Sequence, residues 1–197
     1  MTTLPTLSAP VIESDRVVLR KARDTDRKGI VEVMTDPEVR TYLGGPRPRE
    51  AVEQFLDVAG TAGATAEAGS YVIADGQTDQ FVGTLRLDRR AGDRPGHVTG
   101  KGRELELSYV LRRGAWGAGL AFEATAAALR AAAGELLDQP VLIVTQAAND
   151  SSRKLARRLG FHEVSQFEEF DARQVLAVAP LGSFRASLPA GTPRPKL

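Results

Sequence analysis

The chain contains no cysteine, only two histidines and a single tryptophan in 197 residues. The missing thiols exclude disulfides, thiolate zinc sites, iron–sulfur clusters and a cysteine nucleophile in one step. His97 and His162 are far apart and form no H-E-x-x-H pattern, so a metal site is not expected. An excess of either charge is lacking too. The 26 Lys and Arg residues face 25 Asp and Glu, a net of +1, which supplies no global field to draw in nucleic acid or an anionic membrane. No run approaches the roughly 18 apolar residues of a membrane span, and the opening MTTLPTLSAP has no basic stretch leading into an apolar core. A cytoplasmic protein without membrane or nucleic-acid partners is expected.

What is present is ordinary for a globular domain: 42% hydrophobic and 26% charged residues. A chain of this length buries about 70% of its unfolded surface and needs no covalent staples. Residues 1–10 and 186–197 are rich in Pro, Ser, Thr and Gly without hydrophobic periodicity, and read as a loose N-terminus and a flexible C-terminal tail around one folded unit over residues 11–185. Within that unit the pattern predicts a strand over residues 17–20, a helix over 24–34 that stops at Asp36-Pro37, and a helix over 48–59 with apolar residues at three-to-four spacing. Strands are predicted at 71–74, 81–87 and 105–111. A helix at 120–137, a strand at 141–145, a helix at 150–158 and strands at 162–170 and 173–179 follow. This alternation describes a mixed α/β sheet with helices on its faces. The polar, glycine-rich RRAGDRPGHVTGKG between two strands reads as a surface insertion or a flexible lid.

The sharpest feature is Leu111-Arg112-Arg113-Gly114-Ala115-Trp116-Gly117-Ala118-Gly119-Leu120-Ala121, which joins a predicted strand to an Ala-rich helix. Glycine permits positive φ and close approach of a ligand to the main chain, and the first turn of a helix offers unpaired N–H groups and a positive dipole end. The segment therefore suits a pyrophosphate, with Arg112 and Arg113 available to further phosphate oxygens. A tight strand-to-helix turn with solvated arginines has the same sequence. G-x-G-x-x-G fails, because Phe122 stands where its third glycine belongs, and neither a P-loop nor G-x-S-x-G occurs. A second feature is Asn149-Asp150-Ser151-Ser152, an N-cap signature opening a helix that Gly160 closes. That helix carries Arg153, Lys154, Arg157 and Arg158, read either as a phosphate-reaching patch or as a solvated face.

Taken together these residues resemble the GCN5-related N-acetyltransferases. Trp116-Gly117-Ala118-Gly119-Leu120-Ala121 with Glu123-Ala124 is similar to W-G-K-G-Y-A-x-E-A of the RimJ/RimL-type branch, and Asn149-x-x-Ser152-x-x-Leu155-x-x-x-Leu159-Gly160-Phe161 to that branch's second motif. Ile12 to Arg20 resembles E-T-E-R-L-x-L-R, Asp36-Pro37-Glu38-Val39 matches D-P-E-V, and Glu106 to Leu111 resembles E-L-G-Y-x-L. The matches occur in order over most of the chain. Ala118, Ser108 and Asp15 depart from the usual basic residue, glycine and glutamate.

The resemblance implies an α/β (α+β) fold with a central mixed, mostly antiparallel twisted sheet of about six to seven strands flanked by about four helices, as one acetyltransferase domain. It implies acetyl-CoA as co-substrate, no metal, an amine acceptor and a monomer or homodimer. The N–H groups of Trp116, Gly117, Ala118, Gly119, Leu120 and Ala121 would hold the pyrophosphate, Tyr109, Val110 and Leu111 would pair with the pantetheine arm, and Asn149 would orient it. In the RimL-type pattern the N-x-x-S serine, Ser152 here, would act as general acid toward the thiolate; Ala156 stands where other branches carry a tyrosine, which leaves Ser152 or a water. Glu104 and Glu106 lie on one strand face, and Glu106, acting through a water, is the first choice of general base; Glu168 or Glu169 could match a hairpin glutamate of the family. Two competing readings stay open: a non-catalytic acyl-CoA-binding or regulatory module, and an RNA binder built on the basic helix, which has no aromatic stacking platform.

Overall fold

The computed structural model describes residues 4–185, and in it the runs rich in Val, Leu and Tyr become strands of one sheet. These are β1 (Val11–Glu13), β2 (Val17–Arg20), β3 (Ser70–Asp75), β4 (Phe81–Arg89), β5 (Leu105–Leu111), β6 (Pro140–Gln146), β7 (His162–Glu169) and β8 (Ala172–Pro180). Their order is β1-β2-β3-β4-β5-β6-β8-β7. Every pair is antiparallel except β5 with β6. The sheet thus has eight strands rather than six or seven. The extra one is β1, whose three residues are too few to show an alternation in sequence.

Four helices cover the two faces: α1 (Arg27–Thr35), α2 (Arg49–Ala59), α3 (Leu120–Glu135) and α4 (Asp150–Leu159). On one face Ala124, Ala128, Leu129 and Ala132 of α3 lie against Leu85, Leu87, Leu105 and Leu107, joined by Ala156 of α4. The small alanines let the long helix sit close to the sheet. On the other face Ile30 and Val33 of α1 with Val52 and Leu56 of α2 cover Val72, Ala74 and Phe81. Among the described residues no helix is long and apolar enough to cross a membrane.

The parallel pair sets up the cleft. β4 and β5 stay in register from Gly83↔Leu111 to Arg89↔Leu105, and β6 stays with β8 from Pro140↔Pro180 to Gln146↔Gln174. Between them β5 and β6 pair only at Leu105↔Val141 and Glu106↔Leu142. Each strand follows its outer neighbour through the sheet twist, so the two diverge and the edge of β5 from residue 107 to 111 is left without a strand partner among the described residues.

The opening segment is not loose through residue 10. Leu7 is fully buried, Glu135 at the end of α3 accepts from the N–H groups of Ser8 (2.8 Å) and Ala9 (3.1 Å), and the Tyr71 hydroxyl donates to the Ala9 carbonyl. A buried leucine and a carboxylate clamp outweigh the Pro- and Ser-rich composition. The expected tail, 186–197, lies outside the described residues.

The candidate active site

The glycine segment turns the chain out of β5 into α3. Residues Arg113–Ala115 form one 3₁₀ turn, and the Trp116 indole N–H closes it by donating to the Leu111 carbonyl at 3.0 Å. Gly117 (φ 76°) and Gly119 (φ 78°, ψ 5°) then adopt the left-handed conformation that side-chain-bearing residues avoid, and Gly119 is the N-cap of α3. The Trp116 N–H is used internally, donating to the Arg113 carbonyl. Those of Gly117 through Phe122 find no acceptor among the described residues. A run of unpartnered donors at the head of a long helix is a binding edge for oxyanions. The free run starts at Gly117, one residue later than the sequence suggests.

The first expected motif holds this turn in place. Arg16 donates through Nη1 to the Ala118 carbonyl (2.9 Å), and its guanidinium pairs with Glu123 in the first turn of α3 at 2.7 Å. Glu123 also accepts from the Arg16 N–H and the Ser14 hydroxyl. Burial works against ionisation of Glu123, yet these donors prevail and hold its carboxyl below the usual carboxylate range.

Arg112 and Arg113 are committed elsewhere. Arg113 pairs with Asp36 (2.9 Å) and Glu38 (2.7 Å), the acidic residues of the D-P-E-V match, and Arg112 lies 3.3 Å from Glu32 of α1. Both guanidiniums face α1 and the turn after it. The basic helix is largely neutralised as well: Arg153 is bidentate to Glu163 of β7, Arg157 lies 3.6 Å from the same carboxylate, and Arg158 stacks on Phe122 at 3.9 Å.

Across the widening gap two hydroxyls meet. Tyr109 of β5 points toward the α3 and α4 face, and its hydroxyl lies 3.4 Å from that of Ser152 in the first turn of α4. Asn149 is the N-cap: its carbonyl accepts from the Ser152 N–H at 3.2 Å, while its amide donates to Thr145 of β6 at 3.1 Å. Both ends of the Asn149 amide are therefore engaged in fixing Ser152. Burial pushes the Tyr109 phenol upward, only partly offset by Ser152, which keeps it protonated.

On the opposite face lie Glu106, Ser108 and Val110, which alternate with Tyr109 along β5. Glu106 sits at the last paired position before the gap. Its Oε2 accepts from Arg90 at 2.8 Å, and Oε1 has no protein donor among the described residues. Arg90 is 1% exposed and also reaches the Pro95 carbonyl and Glu169 (3.2 Å). Arg94 in turn grips Glu169 through two nitrogens at 2.8 and 3.0 Å. Burial would protonate Glu169, but the two arginines reverse that and lower its pKa. Glu168 is exposed and lies 3.5 Å from Arg173.

Glu104, grouped with Glu106 in the sequence, has a separate task. Its carboxylate is buried and accepts from His97 Nδ1 (2.6 Å), the Val98 N–H (3.0 Å), and the Thr99 N–H and hydroxyl (2.7 and 2.8 Å). Burial alone would raise its pKa, yet the donors outweigh it and take the group down to about 2. The 89–102 segment is thus pinned by Glu104 at one end and by Arg90 at the other, not a free lid. Arg90 and the Tyr109 hydroxyl are the two groups that sequence reasoning missed in these roles. Arg90 looked like one arginine among several in a polar loop, and nothing in the spacing of Tyr109 and Ser152 foretells their contact.

Comparison with known proteins accords with this geometry. The family model described as an acetyltransferase (GNAT) domain matches residues 16–162, and the chain belongs to that family. An uncharacterized N-acetyltransferase of Bacillus subtilis, YoaA, is 23% identical over 164 residues, covering 82% of this chain and 88% of its own. A GNAT-family acetyltransferase from Bacillus anthracis superposes with a TM-score of 0.70 at 17% identity, over 87% of this chain and 98% of that one. The spermidine N-acetyltransferase of Vibrio cholerae, solved with CoA and spermine, gives 0.64 at 15% identity, over 85% and 97%. At these identities the solved structures establish the fold.

Proposed function

We propose that the protein is an acetyl-CoA-dependent N-acetyltransferase of the RimJ/RimL type, acting on a primary amine of a peptide N-terminus or a small molecule. The observation that carries this reading is the coincidence of two unfilled hydrogen-bonding edges, the N–H run from Gly117 to Phe122 and the β5 edge beyond Glu106, at one cleft. A phosphorylated carrier with an amide-bearing arm matches both: its pyrophosphate on the helix head, its amides along the strand edge as an added strand.

In this reading Gly117 to Ala121 bind the pyrophosphate through the backbone, so the committed side chains of Arg112 and Arg113 are not needed for it. Tyr109, Val110 and Leu111 align the arm, and Asn149 acts by fixing Ser152. Ser152 gives its proton to the departing thiolate. Glu106, paired with Arg90, takes a proton from the amine through a water at Oε1. It faces the α1 and α2 side while Ser152 faces the α3 and α4 side, so base and acid stand on opposite sides of the gap and do not compete for the same proton.

A thermal-shift titration with acetyl-CoA, CoA and NADH, followed by an amine panel read out as released thiol, tests it. Both CoA species should raise Tm and NADH should not. Binding without thiol release on any amine would favour a non-catalytic module, and absence of a CoA shift would remove the reading.

A further inference from the structure

Ser152 is a weak source of protons by itself, since an aliphatic hydroxyl ionises far less readily than the thiol it must form. A phenol is a closer match: a free tyrosine is at about 10 against about 8.5 for an alkyl thiol such as cysteine, and burial moves Tyr109 upward from there. Such a phenol is at hand. Tyr109 stands on the free stretch of β5, packed against the core of the α3 and α4 face, and the Ser152 hydroxyl is its only hydrogen-bonding partner among the described residues, at 3.4 Å. The Ser152 main chain is fixed by Asn149, and Asn149 by Thr145, so the contact spans the gap from a strand on one side to a strand and helix on the other. We propose that Tyr109 positions and recharges Ser152, forming a two-hydroxyl proton relay that ends at the departing thiolate.

The proposal rests on the acetyltransferase reading. The hydroxyls have one useful arrangement. When the phenol donates to Ser152 Oγ, the serine proton is directed away from Tyr109 and into the cleft; were the serine to donate to the phenol, the cleft would face a lone pair. As the amine lone pair forms the C–N bond, the C–S bond breaks and its electron pair goes to sulfur. Ser152 Oγ–H protonates that sulfur, and Tyr109 Oη–H replaces the serine proton. The phenolate recovers a proton from solvent, which receives the one lost by the amine, so atoms and charge balance. A separation of 3.4 Å is long for a hydroxyl pair, and such contacts tighten when substrate fills the site. Tyr109 supplies here, from a neighbouring strand, the phenol that Ala156 does not.

The test compares Y109F, S152A, S152T and the double variants Y109F/S152A and Y109F/S152T in steady-state assays, after wild-type turnover has been measured on the amine panel. Y109F removes one oxygen from a packed ring and should keep both KM for acetyl-CoA and the acetyl-CoA thermal shift. Its kcat should fall about tenfold, the low end of what a positioned proton donor supplies. The loss should be present in the S152T background, which keeps the hydroxyl, and absent in S152A, because the relay cannot be broken twice. Wild-type kcat in Y109F, or equal losses in both serine backgrounds, would overturn the relay while leaving the acetyltransferase reading intact. A wild-type protein that acetylates no amine would overturn both, and is told apart because it is seen before any variant is made.

Discussion

Glu104 and Glu106 are two residues apart on one strand and end in opposite circumstances. Glu106 keeps one oxygen free beside the cleft, whereas all the capacity of Glu104 goes to His97, Val98 and Thr99. Glu106→Gln should lower kcat by roughly a hundredfold, the scale of a lost general base, and leave the acetyl-CoA thermal shift nearly unchanged; steady-state kinetics beside the shift assay checks this. For Glu104 the sign follows from a folded pKa of about 2, below the 4.5 of an ordinary glutamate. Its contribution is complete above about pH 4.5 and is lost as pH falls toward 2. Protection of the Val98 and Thr99 amides from exchange, taken relative to the intrinsic rate at each pH, should therefore fall over that window in wild type and show no such dependence in Glu104→Gln. Arg90 is the counterpart of these carboxylates. Arg90→Leu would strand Glu106, at 14% side-chain exposure, and leave Glu169 to Arg94 alone, and should cost about 3 kcal/mol, as for other broken buried pairs. The midpoint of denaturant unfolding would register it. Sequence identified Glu106 as a candidate, but a carboxylate's partner is chosen in three dimensions, and no periodicity distinguishes it from Glu104.

At the level of elements the sequence was highly legible. Helices expected at 48–59 and 150–158 appear as Arg49–Ala59 and Asp150–Leu159, because Pro48, Asn149 and Gly160 mark their ends locally. The helix expected over 24–34 begins as a 3₁₀ turn, Asp24–Asp26, before α1. The 89–102 segment was not legible, since part of what pins it is distant: beside the nearby Glu104, Glu169 of the hairpin that closes the chain holds Arg90 and Arg94. Helix α1 shows local preference overruled by packing. Gly29 is buried within it, and an added Cβ would stand 2.2 Å from the ring of Phe81 on β4. Gly29→Ala gains about 1 kcal/mol of helix propensity, but displacing an aromatic ring from a filled core costs about 1–3 kcal/mol. Calorimetry should show a lower Tm.

Across the whole molecule, pieces far apart in sequence converge on the cleft. The opening motif meets the glycine segment through Arg16 and Glu123, and Asp36 and Glu38 meet Arg113. The ordered motifs identified the family from sequence; their mutual contacts explain why they travel together. Still, their joint work lies in the geometry of the sheet, which no single motif describes. The two-residue pairing of β5 with β6 is one such feature. It makes the sheet a pair of leaves, β1 to β5 and β6 to β8, sharing a spine at one end only. A ligand lying between the pages would then double as the missing stitching, and amide exchange along residues 107–111 of β5 should slow when it is bound.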